Sequence, residues 1–455
     1  MNRKTDQGPD AALTLADYAL NLRYDNLPEP ICNLARQCLA DAVACMVYGQ
    51  RFPWSQAVLT HARENGVGGN VVLPGLPGEF FQPGAAALVM GTMAHAFELD
   101  SLRKPGAGVH PGATVALPAL AAAQATGASG RELVTAIVAG CEVMFRIGAA
   151  TLHTPEQVGF HAPGLTGPFG AATAAGILYG LTPEQLANAY GICGSTGGGL
   201  LAFTHAGQGG MIKRLHLGRA AEAGMLAVSL AKKGFEGPTS ILDGRFGLLD
   251  SYCSESDPSQ LTRGLGTEYE LENLCIKRYA CHVTAQAPIA ALRRKMIEEE
   301  FTGQDIEKLS VICSKKVVSH HGKTNPKDIM LAQYSVPFSL AIAAFQNPIS
   351  PSAFATEVLA SDRVRELAEQ VQLVSNGEAK GWGAHMTIFL KNGRQIVTDA
   401  STFPGCPEQP LTRDALWEKF FALCESIEPE QRQHLFATLM SIDQGDQLHF
   451  GTQRN

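Results

Sequence analysis

The sequence predicts a mostly helical α+β protein, with a large all-α domain built from both chain ends and a smaller α+β domain between them. Three observations carry this. Helix-start signals and apolar periodicity recur from residue 11 to about 250. After about residue 270, β-branched runs and an Asn-Gly turn take over. From Leu411 the apolar stripe Leu416, Phe420, Leu423 and Leu435 returns to helical spacing. A chain of 455 residues exceeds one typical core, so two domains are expected: residues 1–270 with 403–455, and residues 271–402.

In chain order, the helical flank AAALVMGTMAHAFELD places His95, Glu98 and Leu99 at helical spacings and ends before Lys104-Pro105-Gly106, where proline cannot continue the ladder. His110 precedes Pro111, which biases it to an extended conformation ahead of a second helical run near Ala113. Capping boxes open further helices at Ser129-Gly-Arg-Glu132, Thr154-Pro-Glu-Gln157 and Thr182-Pro-Glu-Gln185. Leu133, Ile137, Cys141, Met144 and Phe145 form a helical stripe, and the abundance of Ala and Gly predicts close helix packing. In the smaller domain, Val311-Ile312 and Val317-Val318 read as strand, and Lys391-Asn392-Gly393-Arg394 reads as a hairpin between Met386–Leu390 and Ile396–Thr398.

A net charge of −7 argues against nucleic acid as a partner. The eleven cysteines show no C-x-x-C spacing and read as small buried hydrophobes in a reducing compartment. The N-terminus lacks the apolar core of a secretory signal, and the apolar runs near 112–128 and 170–182 are broken short of the roughly 20 residues that a bilayer demands. A soluble, cytoplasmic protein with no membrane partner is the expectation. A P-loop and a complete dinucleotide fingerprint are missing, so no nucleotide or nicotinamide cofactor is expected. The absence of a Gly-x-Ser-x-Gly elbow and a His-Glu-x-x-His helix lowers serine hydrolase and zinc protease readings, and His320-His321, with no acidic or cysteine ligand nearby at metal spacing, leaves no metal expected.

Residues 91–118 are the first place to look for chemistry, because His95, Glu98, Asp100, Arg103, Lys104 and His110 crowd into an apolar framework. A histidine at a helix entrance with an aspartate near it suits proton transfer; the competing reading is a histidine that hydrogen-bonds the turn. His161 lies in the glycine-bounded loop Gly159–Gly164. Gly207-Gln-Gly209-Gly210 with Lys213 is either an anion cradle at a helix entrance or a cationic surface turn. Lys277, Arg278, Tyr279, Cys281 and His282 gather at the expected domain junction, where ligand sites tend to form. Tyr334 is either a core aromatic or a site hydroxyl, and His320-His321 reads as solvated loop.

Six segments in order, His95-Ala-Phe-Glu-Leu-Asp100, His110-Pro-Gly-Ala-Thr-Val, Gly159-Phe-His161, Lys213-Arg-Leu-His-Leu-Gly-Arg-Ala-Ala, Lys277-Arg-Tyr-Ala-Cys-His and Ala332-Gln-Tyr-Ser-Val-Pro-Phe, resemble the MmgE/PrpD family of 2-methylcitrate dehydratases, cis-aconitate decarboxylases and iminodisuccinate epimerases. The resemblance implies a large helical domain from both chain ends, an α+β lid, a homodimer and a cofactor-free site for a small polycarboxylate. It implies a catalytic set of Asp100, His110, His161, Lys213, Lys277 and Tyr334; His95, Arg103, Lys104, Arg278 and His282 are expected to bind substrate. The family's dehydratases commonly show His-Pro-Ser-Asp-Asn, whereas this chain has His110-Pro-Gly-Ala-Thr. That form, with Arg103 and Lys104, points toward the decarboxylase and epimerase branch. Epimerisation is placed first, with cis-aconitate decarboxylation or 2-methylcitrate dehydration as alternatives, and a non-catalytic polycarboxylate-binding dimer as the rival of another class.

Overall fold

The computed structural model describes residues 10–204, 210–375, 377 and 381–445. Two compact units divide the described chain. The first takes in residues 10–96, 100–274 and 424–445, and the second residues 97–99 and 275–423. Helix Arg413–Leu423 therefore groups with the second unit, whereas the expected division placed it with the first.

In the first unit, α1 (Ala11–Asn21), α2 (Glu29–Gly49), α3 (Pro53–Asn65), α4 (Pro83–Ala94), α5 (Leu117–Thr126), α6 (Gly130–Ala150), α7 (Ala162–Leu178), α8 (Pro183–Thr196) and α9 (Ile212–Lys232) build the core. The unit is not purely helical. The antiparallel hairpin of β1 (Val67–Leu73) and β2 (Leu76–Phe81) stands between α3 and α4. Side-chain caps open α6 at Ser129 with Glu132 and α8 at Thr182 with Gln185, as expected. Thr154 behaves differently: its hydroxyl donates to the carbonyls of Thr151 and Glu255, and a single 3-10 turn, Thr154–Val158, replaces the expected helix.

Helix α9 packs against α4 and α7. At its crossing with α4, a Cβ on Gly218 would sit 2.4 Å from Leu88 O, and one on Gly91 would sit 3.1 Å from Gly218 Cα. Only glycine lets these backbones approach so closely, and that approach brings the N-terminal half of α9 beside the end of α4. One helix among the described residues, α6, is long and apolar enough to cross a bilayer. The sequence reading had not singled it out. Its most apolar window is 94% buried within the protein, so core packing accounts for its composition. All eleven cysteines are free, and all but Cys253 are buried.

The second unit holds a four-stranded sheet of β3 (Ile306–Ile312), β4 (Val371–Val374), β5 (Ala384–Leu390) and β6 (Gln395–Ala400), in the order β4-β3-β5-β6. β3 and β4 are parallel; β5 runs antiparallel to β3 and to β6. The Asn-Gly hairpin joins β5 to β6 with Gly393 at φ 86°. Val317 and Val318, expected in a strand, lie in the short helix Lys315–His321.

Candidate active site

The chain leaves its helical ladder earlier than the apolar periodicity suggests. α4 stops at Ala94, residues Phe97–Leu99 group with the second unit, and Glu98 adopts φ 55°. The chain then returns at Asp100 to a fully buried position in the first unit. There Asp100 Oδ2 lies 3.0 Å from His95 Nδ1 and 2.8 Å from His110 Nδ1. The two imidazoles meet edge-on, with centroids 4.8 Å apart. His95 is fully buried; the side chain of His110 keeps 14% exposure.

Burial by itself would raise the Asp100 pKa, but the imidazole N–H groups of His95 and His110 hold it well below the usual carboxylate value. An ionised Asp100 only accepts hydrogen bonds, so both histidines turn Nδ1–H toward it and direct Nε2 elsewhere. Burial depresses His95 to about 3, with the charge of Lys213 adding to the effect against the opposing pull of Asp100, so His95 stays neutral. Its Nε2 is buried without a hydrogen-bond partner.

The turn after Asp100 holds this arrangement in place. Ser101 Oγ accepts the Gly112 N–H at 3.2 Å, and the His110 carbonyl accepts from the Thr114 N–H and hydroxyl. Residues Gly112–Ala116 make a π turn leading into α5, a device often found beside functional positions.

A second histidine pair adjoins the first, with the His95 and His161 ring centroids 6.3 Å apart. His161 precedes α7, and its backbone N–H donates to Gly199 O. Its Nδ1 lies 3.0 Å from Nδ1 of His216, which sits on α9 one turn after Lys213. Burial, then the nearby Lys213 ammonium, push His161 well below the ordinary imidazole value and lower His216 as well. Arg214, also on α9, donates to the His95 carbonyl at 3.0 Å. The first unit thus gathers His95, Asp100, His110, His161 and Lys213 into one buried cluster.

The remaining expected residues divide between the two units, Arg103 and Lys104 in the first and Lys277, Arg278, His282 and Tyr334 in the second. Arg103, expected at substrate, gives Nε and Nη2 to Glu270 Oε2 and Nη1 to the Pro105 carbonyl. Lys104 is half-buried in the same unit, and its backbone N–H donates to Asn273 O. In the second unit, Lys277 Nζ pairs with Glu98 Oε2 at 3.2 Å, both side chains 2% exposed. Arg278 bonds Glu418 at 2.7 Å. His282 stacks on His321 at 4.2 Å and lies 5.0 Å from the Tyr334 ring. His321 is buried with Nδ1 3.0 Å from the Tyr334 carbonyl, which corrects its reading as solvated loop. Gly207-Gln-Gly209, read as one possibility for an anion cradle, lies outside the described residues.

Sequence reasoning missed His216, Arg214 as the anchor of His95, and Glu98 as the partner of Lys277. Only His216 had a local signal: in Lys213-Arg-Leu-His216 the i, i+3 spacing puts ammonium and imidazole on one helical face. His95, Asp100 and His110 also form a donor set, one ligand atom from each within 4.8 Å of the others, the mixture of two histidines and a carboxylate that suits a divalent ion. The separations to Asp100 Oδ2 are those of hydrogen bonds.

Models of the MmgE/PrpD N-terminal domain and the MmgE/PrpD C-terminal domain match residues 13–261 and 279–442. The chain is 27% identical over 471 residues to a cis-aconitate decarboxylase-like protein of Aspergillus oryzae, covering 96% of each. It is 27% identical over 447 residues to a cis-aconitate decarboxylase of Aspergillus terreus, covering 92% of this chain and 90% of the relative. It is 24% identical over 421 residues to the cis-aconitate decarboxylase of Mus musculus, covering 88% and 84%.

Proposed function

The chain belongs to the MmgE/PrpD family and is an enzyme of its isomerase or lyase chemistry, and from that premise we propose that it is a cis-aconitate decarboxylase-like lyase. The end-to-end similarity to relatives bearing that name supports this reading above the others. Epimerisation, placed first by the sequence, gives way. Arg103, one of the residues that had favoured it, is committed to Glu270, and the relatives' names lend it no support.

In the proposed reaction, the bond between a methylene carbon and its carboxylate breaks and CO₂ leaves. The electron pair delocalises through the adjoining double bond onto the carbon beside a retained carboxylate, where a proton is added. The product is an unsaturated five-carbon dicarboxylate. His110 is the group proposed to deliver the proton. It retains some exposure through which to recover one, and Asp100 lies behind it at 2.8 Å from Nδ1 to orient the ring. Lys213, held in a buried cluster, supplies a fixed positive charge for a carboxylate and for charge that develops on it. His161 stays neutral beside that lysine and offers a hydrogen bond. Lys277, Tyr334 and His282, with Lys104 and Arg278 as lesser candidates, take their proposed roles in catalysis or substrate binding from the family resemblance. A homodimer is likewise proposed, and light scattering on the purified protein checks it.

The direct test incubates the protein with cis-aconitate in D₂O and follows the products by NMR. CO₂ release with one deuterium in the product is the expected result. Parallel reactions contain iminodisuccinate stereoisomers and 2-methylcitrate. Deuterium wash-in at iminodisuccinate without bond cleavage, and no CO₂ from cis-aconitate, would restore the epimerase reading.

A further inference from the structure

We infer that His216 is a positioning residue whose Nδ1–H donates to His161 Nδ1, so that His161 presents an N–H at Nε2 to a substrate carboxylate. Two imidazole nitrogens 3.0 Å apart need one proton between them, since two N–H groups would clash and two lone pairs would repel. Which ring holds that proton decides what His161 shows on its far side. With the proton on His161 Nδ1, its Nε2 would turn a lone pair toward a polyanion. With the proton on His216, Nε2–H faces outward as a donor.

The surroundings favour the second arrangement for an anionic ligand. Asp100 already draws the Nδ1 protons of His95 and His110, so neutral forms of those rings offer only lone pairs at Nε2. His161 is therefore the imidazole in the cluster that can donate at Nε2 while uncharged, and a neutral donor beside Lys213 escapes the repulsion that an imidazolium would meet. The two rings are held for the purpose. The His161 backbone N–H is fixed by Gly199 O, and a Cβ on Gly199 would come within 3.1 Å of His216 Nδ1, so the His216 ring lies flush against that backbone. Phe203 closes on both rings edge-on, with centroids 5.8 Å from His161 and 6.0 Å from His216.

This inference rests on the polycarboxylate reading of the same site, and two measurements separate them. The first needs no substrate. In ¹⁵N-histidine-labelled full-length protein, the imidazole nitrogen shifts of His161, assigned with His161→Gln, should report protonation at Nε2 alone; in His216→Phe they should move to the averaged values of a free neutral imidazole, in which both tautomers are populated. A wild-type proton on His161 Nδ1 overturns the inference, whatever the substrate. The second uses cis-aconitate. His216→Phe should lower kcat/KM by roughly 10- to 100-fold, the scale of one hydrogen bond to a charged group. His216→Asn, which keeps an N–H near the Nδ1 position, should recover most of the loss, with melting temperatures showing both variants folded. A fully active His216→Phe, or a folded His216→Asn as impaired as His216→Phe, also overturns it. A wild-type protein inert toward cis-aconitate while His161 carries its proton on Nε2 would sink the decarboxylase reading and leave the tautomer assignment standing.

Discussion

Two of the carboxylates that the first unit buries completely, Glu142 and Asp100, are satisfied by opposite kinds of partner. Glu142 on α6 accepts from Arg146 Nη1 at 2.5 Å and from the backbone N–H groups of Glu270 and Leu271 at 3.0 and 2.9 Å. Asp100 accepts from two imidazoles. Every donor to Glu142 keeps its proton at any physiological pH, whereas both donors to Asp100 belong to the side chain whose ordinary pKa lies nearest neutrality. Both arrangements solve the cost of burying charge, but only one leaves protons that can move. The contrast teaches that burial and pairing alone do not single out a candidate catalytic carboxylate; the lability of the partner's proton is what distinguishes Asp100 from Glu142.

Four experiments press on that contrast. The largest effect should come from Asp100→Asn or His110→Ala, which remove a carboxylate or an imidazole of the labile centre. Turnover should fall by about 10²–10⁴ while circular dichroism shows the fold retained, with some loss of melting temperature in Asp100→Asn because the ionised carboxylate is stabilised by its partners. Full activity in His110→Ala would take that imidazole out of the mechanism. Arg146→Met should do the reverse. Stranding Glu142 as a buried, unpaired charge should cost about 3–5 kcal/mol in denaturant unfolding, with the turnover of the surviving folded protein unchanged.

Acid should separate the two centres without mutation. His95, His161 and His216 all have folded pKa values below the unfolded value of 6.5, so the unfolded chain binds more protons as pH falls below 6.5. Each histidine then removes stability as the pH falls from 6.5 toward its folded pKa. Glu142, raised above 4.5 chiefly by burial, acts in the opposite direction, gaining stability as pH falls through its folded pKa. Unfolding midpoints measured from pH 7 to 5 should decline, and His161→Gln should flatten the decline by one histidine's share; an unchanged slope would contradict the assignment. The smallest effect belongs to Arg103→Lys, which gives up the forked contact with Glu270. Stability should drop by about 1 kcal/mol with KM for cis-aconitate unaltered, and a raised KM would return Arg103 to the substrate.

Much of the candidate cluster was legible because its motifs are short. Asp100 and His110 fall within one stretch, and Lys213 announces itself at the start of a helix. The errors came where distant chain segments decide local form. The apolar spacing around His95 reads as continuous helix, yet the segment Phe97–Leu99 departs to the second unit and ends it. Val317 and Val318 have strand chemistry but lie in a helix whose last residue, His321, stacks on His282.

By itself, the sequence determined the elements whose causes are local: the capped starts of α6 and α8, the Asn-Gly hairpin of β5 and β6, and the ordered motifs that identify the family. Tertiary structure alone decided which groups share a proton. The partners Asp100 and His110 are ten residues apart, but His161 and His216 are separated by 55 residues, Glu98 and Lys277 by 179, and Arg103 and Glu270 by 167. No sequence window spans such distances. The meeting of His161 with His216 depends on how closely α9 can approach α4 and α7, which a missing Cβ at Gly218 permits and no local propensity records.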